Sequence, residues 1–163
     1  MRTGKTRHQR GYTYLLVLFL VAELGLLAAK AGVVWQAVAQ REREAELLAV
    51  GGEMARAMAR YRDETPVGQP PWPTKLEQLI EDSRFPVPRR HLRRIYRDPL
   101  SGRTEWGLVR TGEAIVGIHS LSTLTPIRRH DLPPYLDESA KSATKYSEWI
   151  FRPGSSTPAT ATP

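Results

Sequence analysis

Four histidines and 17 carboxylates are the first groups to weigh for catalysis in this chain, whose 163 residues include no cysteine. Thiol nucleophiles and cysteine metal sites are therefore excluded. His8, His91, His119 and His130 are scattered through the sequence and show no paired spacing of the kind metal ligands adopt. There is no Gly-rich phosphate loop and no nucleophile-elbow pattern. His119, at the end of an expected strand, reads as structural. The expected role is non-enzymatic, with no metal and no cofactor.

The remaining chemistry is cationic. Lysine and arginine total 24, giving a net charge of +7, and such an excess favours a negatively charged partner. The densest cluster is "RRHLRRIYR" at residues 89–97, reinforced by Arg84. Arg84, Arg89, Arg90, Arg93 and Arg94 are the candidate contacts for DNA, an acidic polymer or an acidic protein. Phosphate contacts would make such binding strongly salt-dependent. The same residues also fit a solvated arginine face around Leu92, Ile95 and Tyr96, with Arg97 and Asp98 holding the next turn. The other basic residues are spread along the chain, so nucleic acid is not the expected partner.

The second distinctive stretch is "RHQRGYTYLLVLFLVAELGLLAAKA", residues 7–31. Arg2, Lys5, Arg7 and Arg10 precede the apolar run with no acidic residue among them, which predicts that this end stays cytoplasmic. Continued through residue 39, the run exceeds the ~20 residues a spanning helix needs. Glu23 and Lys30 interrupt it, each at a cost of roughly 2.5–3.5 kcal/mol near a membrane centre. Lys30 lies two turns from Glu23 on the same helical face. A basic region, a short apolar core and Ala29-Lys30-Ala31 also fit a cleaved secretory signal. Glu23 and the helical pattern running on past that cut argue against it.

From residue 33 to 62 there is no proline, and the sequence is rich in helix formers. Leu47, Val50, Met54, Met58 and Tyr61 share one helical face, with Glu53, Arg56 and Arg60 opposite. Gly51-Gly52 is expected to permit a bend. Four prolines within residues 63–73 predict a loop. Thr74-Lys75-Leu76-Glu77 has the form of a capping box and predicts a short helix at 75–82 that buries Leu76, Leu79 and Ile80. Asp98-Pro99-Leu100-Ser101-Gly102 predicts a turn. "TEWGLVR" and "AIVGIHS" predict a hairpin around Thr111-Gly112-Glu113, with Trp106, Leu108, Ile115 and Ile118 in the core. A hairpin is marginal alone, so it should rest on the 47–61 face of the helix. Residues 138–150 suggest a further short helix docked through Tyr146, Trp149 and Ile150. The low-complexity end, residues 152–163, is expected to be disordered.

A basic leader ending in glycine, an aromatic residue, and an apolar helix that turns amphipathic resemble the type IV pilins and, more closely, the pseudopilins of type II secretion. "ARYRDETPVGQPPWPTKLEQLIED" (59–82) and "RRIYRDPLSGRTEWGLV" (93–109) are similar to the loop and turn-strand segments of the major-pseudopilin type. The resemblance covers roughly residues 10 to 120. It implies an α+β, pilin-like fold: a long N-terminal helical spine, membrane-spanning in its first half, packed against a small antiparallel sheet. The implied organisation is a leader at 1–11, an apolar helix half at 12–39, an amphipathic periplasmic half at 40–62, a head at 63–126, an extension at 127–151 and a tail at 152–163.

The same resemblance implies cleavage after Gly11 by a prepilin peptidase and methylation of Tyr12. The partners it implies are that peptidase, other pseudopilins or pilins, an inner-membrane assembly platform and the lipid bilayer. The head would be periplasmic. Leu16, Glu23 and Lys30 become helix-packing positions. Leu16 stands where the family usually has glutamate at its fifth mature residue, a departure that points to a minor, tip or atypical subunit. Tyr12 replaces the commoner phenylalanine or methionine. The calcium-binding loop frequent in the major type has no recognisable counterpart among Asp131, Asp137 and Glu138. Two alternatives remain: a minor pilin binding DNA or another polyanion through its basic head, and a soluble periplasmic protein released by signal peptidase.

Overall fold

The computed structural model describes residues 10–154, with side chains at 12–28 and 35–154. The described chain is α+β. One α-helix, α1 (Arg10–Asp63), is followed by 3-10 turns at Leu76–Leu79, Glu138–Lys141 and Tyr146–Glu148 and by three strands. Two compact units divide at Gln40/Arg41, next to the 39/40 boundary expected from composition.

In the first unit, α1 exposes its apolar side chains. Tyr12, Leu16, Phe19, Val21, Leu24 and Leu27 are all at least half exposed, Phe19 at 68%. Among the described residues no helix is long and apolar enough to cross a membrane. The expectation that the first half spans a membrane is thus not shown by the described residues.

In the second unit the expected stripe becomes the core. Leu47, Met54, Met58 and Tyr61 are buried to 2% exposure or less, and Val50 packs beside them. Ala55 and Ala57 are also buried, while Arg56 and Arg60 face solvent. Arg60 and Arg62 lie in the last turn, where the helix dipole favours cations. Pro66 blocks further helix, and the hydroxyl of Thr65 donates to the Tyr61 carbonyl at 3.0 Å.

Strands β1 (Gly107–Thr111) and β2 (Ala114–His119) form the expected antiparallel hairpin, joined from Thr111 to Ala114 with Gly112 at φ 61°. That left-handed conformation is why glycine stands in the turn. Trp106, Ile115 and Ile118 enter the same core as the α1 stripe, and Leu108 packs against it. β3 (Ile150–Phe151) adds a third antiparallel strand, pairing Ile118 with Phe151 and His119 with Ile150.

Three local expectations are corrected. The helix expected at 75–82 is a single 3-10 turn, Leu76–Leu79, and its reciprocal side chain is Gln78 rather than Glu77. Gln78 Oε1 accepts from Thr74 N at 2.7 Å and Lys75 N at 3.3 Å. Residues 138–150 form two 3-10 turns leading into β3, not a helix, and Tyr146, Trp149 and Phe151 are fully buried. This segment closes the core rather than extending from it.

The third correction concerns Gly51-Gly52. α1 runs unbroken through the pair, whose missing side chains make room for rings. A Cβ on Gly51 would collide with the Phe151 ring, and one on Gly52 would lie 2.8 Å from the Tyr135 ring. Tyr135 then donates its hydroxyl to the Leu48 carbonyl at 3.1 Å. Gly51→Ala is therefore expected to cost about 1–3 kcal/mol through overpacking. Gly25→Ala, with nothing within 4 Å, should cost nothing and favour helix slightly. Thermal melts of the full chain in a mild detergent check this, and equal melting temperatures for the two variants would contradict it.

Candidate functional site

The arginines singled out from the sequence divide into two groups. Arg84 is withdrawn from solvent: its side chain is 8% exposed and its fork is fully engaged. It donates to both oxygens of Asp82 at 2.9 and 2.8 Å, to the Tyr61 carbonyl at 2.8 Å and to the Pro70 carbonyl at 2.8 Å. A further bond reaches Thr65 Oγ1 at 3.0 Å. Its guanidinium lies 3.5 Å from the centre of the Tyr61 ring. One side chain thus caps the Tyr61 carbonyl near the C-terminus of α1 and ties down the proline loop. An anion outside the head finds no donor there.

The clasp turns on Asp82, 1% exposed. His91 Nε2 lies 3.0 Å from Asp82 Oδ2, and the backbone N–H of Arg84 donates to Oδ1 at 3.1 Å. Backbone pairing between Asp82 and Arg89 closes the segment between them. Burial alone would raise the Asp82 carboxyl. The bonds from Arg84 and His91, with the Arg84 charge, outweigh it and hold the group down at about 2. Hydrogen bonding to Asp82 keeps Arg84 firmly charged, and burial pushes the Tyr61 phenol up.

The other arginines are exposed. Arg89 pairs with Glu64 at 3.0 Å and lies 4.2 Å from the centre of the Phe85 ring. Arg94 lies 5.4 Å from the centre of the Tyr96 ring. Arg90 and Arg93 make no hydrogen bond or ion pair among the described residues. They line a pocket of about 450 Å³ with Arg60, Glu53, Leu92 and Tyr96. Of the five arginines expected to act together, two share this pocket.

The expected assembly positions lie in the first unit. Gly11 and Tyr12 fall in the first turns of α1, with Tyr12 75% exposed. Leu16 is 50% exposed, and Glu23 is exposed as well. Lys30 belongs to α1, but its side chain lies outside the described residues, as do residues 1–9 of the leader expected at 1–11 and residues 155–163 of the tail expected at 152–163. Among the described residues no group of three or more histidines and carboxylates could hold a metal.

Two other buried carboxylates organise the head. Glu44 accepts from the backbone N–H groups of Ile127 and Arg128 at 2.8 and 3.1 Å and from the Tyr146 hydroxyl at 2.6 Å. Asp98, fully buried, accepts from Leu100 N at 3.0 Å and from the Ser120 hydroxyl at 2.7 Å. Sequence reasoning did not pick out Glu44 and Asp82, and it named His91 and Arg60 only as a scattered histidine and a charge on the outer helix face. The position of Glu44 was the available signal: it continues the buried stripe one step before Leu47. His119 Nδ1 lies 2.9 Å from the Ser120 carbonyl, and its ring fills the space that glycine leaves at 107, a packing role.

Known protein families, characterised proteins and solved structures provide no match to this chain.

The clasp predicts an acid-sensitive fold. The Asp82 carboxyl is depressed to about 2 from an ordinary value of 3.8, so its contribution is complete above about pH 4 and disappears as pH falls through about 2. It amounts to about 2 kcal/mol. Stability measured against pH should fall across that window, with a flatter profile for Asp82→Asn; parallel profiles would contradict the assignment. At neutral pH, Arg84→Ala should cost about 3–5 kcal/mol by leaving the buried Asp82 carboxylate without its guanidinium, and Arg89→Ala under about 1 kcal/mol. Chemical denaturation of both variants separates the two roles.

Proposed function

We propose that this chain is a pseudopilin-like structural subunit of a filament serving type II protein secretion, in a minor or tip position, rather than an enzyme. The carrying observation is a helix of 54 residues, α1, whose first part bares large apolar side chains while its later part forms the core of a small α+β head. Leaving each such side chain in water forfeits roughly 1.5–3 kcal/mol. A patch of this kind belongs against lipid or against other helices. By sequence the apolar run goes on through residues 29–34.

In this reading the precursor sits in the inner membrane with its basic end cytoplasmic and its head periplasmic. A prepilin peptidase cuts after Gly11, and Tyr12 is methylated. An assembly platform then draws the subunit out of the bilayer as its apolar segment packs against the same segment of other pseudopilins. Leu16 offers an apolar contact where most such subunits carry a carboxylate. Glu23 faces neighbouring helices, as polar groups in membrane bundles do.

The mass of the mature N-terminus tests this. In cells holding a prepilin peptidase, the purified chain should begin with methylated Tyr12, and Gly11→Ala should leave the precursor intact. A mature protein starting at Gly32, or normal shortening of Gly11→Ala, would overturn the proposal.

A further inference from the structure

The pocket beside the clasp has an electrostatic imbalance that assembly through an apolar helix does not explain. Three guanidiniums border it: Arg60 from α1, and Arg90 and Arg93 from the segment after Asp82. Its one carboxylate, Glu53, is already engaged, since Arg56 donates to it at 2.7 Å and holds its carboxyl below the ordinary range. Arg90 and Arg93 are left without a hydrogen-bonding or ionic partner among the described residues.

The walls around these charges are fixed. Arg60 donates to the His91 carbonyl at 2.6 Å. The His91 ring is held in turn by buried Asp82, and His91 N and Leu92 N both donate to the Leu79 carbonyl, at 2.9 and 2.8 Å. Leu92 is 4% exposed and, with Tyr96, supplies an apolar lining. A guanidinium offers a planar fork of donors that matches the oxygens of a carboxylate or phosphate. Beside low-dielectric walls, each such contact is stronger than it would be in open water. The volume of about 450 Å³ suits a small molecule.

We infer that this pocket is a binding site for a compact oxyanion ligand carrying two or more negative charges. Arg90 and Arg93 grip the anionic groups while Arg60 fixes the pocket wall. The contacts lie wholly within the second unit, so the inference stands independently of the proposed assembly role.

The test is calorimetric titration of the full chain, in a non-ionic detergent at low salt, with pyrophosphate and separately with citrate. These two arms distinguish a phosphate from a carboxylate ligand. Saturable one-to-one binding is expected for at least one of them. Arg90→Gln and Arg93→Gln should each weaken it about tenfold or more, and Arg129→Gln, an exposed arginine that does not line the pocket, should leave it unchanged. In a second measurement, the ligand should protect Arg90 and Arg93 from modification by phenylglyoxal, read by mass spectrometry. This second readout decides the matter if a variant fails to fold. Absence of saturable binding to both anions would overturn the inference. So would equal weakening by Arg129→Gln, or heparin fragments whose affinity grows with length and ignores the two pocket substitutions.

Discussion

The governing constraint is the uncovered apolar surface of α1 between residues 12 and 28. A helix in water is stabilised mainly by burying one face, and intrinsic propensity alone supports long helices poorly. The later part of α1 obeys that rule: Leu47, Met54, Met58 and Tyr61 are buried and the opposite side is charged. The earlier part exposes Leu, Val and Phe without a sheltered face. In the proposed reading, a bilayer and then a bundle of like helices cover this segment. A subunit that moves from the first to the second would use the same side chains in both.

The head meets a different difficulty. It has three short strands and long irregular connections, so most of its backbone polar groups cannot pair within a sheet. Many of them pair across turns and loops, and buried carboxylates collect a few more. Glu44 gathers two successive backbone N–H groups and a phenol; Asp98 gathers an N–H and a hydroxyl; Asp82 gathers a guanidinium, an imidazole and an N–H. Glu44 of α1 and Asp98 join elements distant in sequence, holding Ile127 and Ser120, whereas Asp82 gathers partners from its own segment. A carboxylate used in this way fixes geometry at the expense of its own desolvation. The ordered walls of the arginine pocket are a consequence, because Asp82 positions His91, and the His91 carbonyl positions Arg60.

Features written in local periodicity were legible in the sequence. The stripe from Leu47 to Tyr61, the absence of proline before Asp63, and the Gly112 turn between two β-rich runs each follow from spacing and residue type alone. What depends on distant partners was not. β3 is two residues long and exists because Ile118 and His119 offer an edge, so residues 138–150 look helical when read alone. Gly51-Gly52 suggests a bend until Phe151 and Tyr135 are seen against it. Arg84 looks like one more member of a basic cluster, yet Asp82, two residues earlier, draws it inside. With Arg84 inside, Arg89 paired with Glu64 and Arg94 beside Tyr96, Arg90 and Arg93 are left without a hydrogen-bonding or ionic partner among the described residues.

Membrane fractionation of cells expressing the full chain tests the central claim most directly. The account predicts that the protein sediments with the inner membrane, resists extraction at alkaline pH, and becomes soluble when residues 12–28 are deleted. Recovery of the intact chain as a freely soluble monomer, with residues 12–28 present, would contradict it.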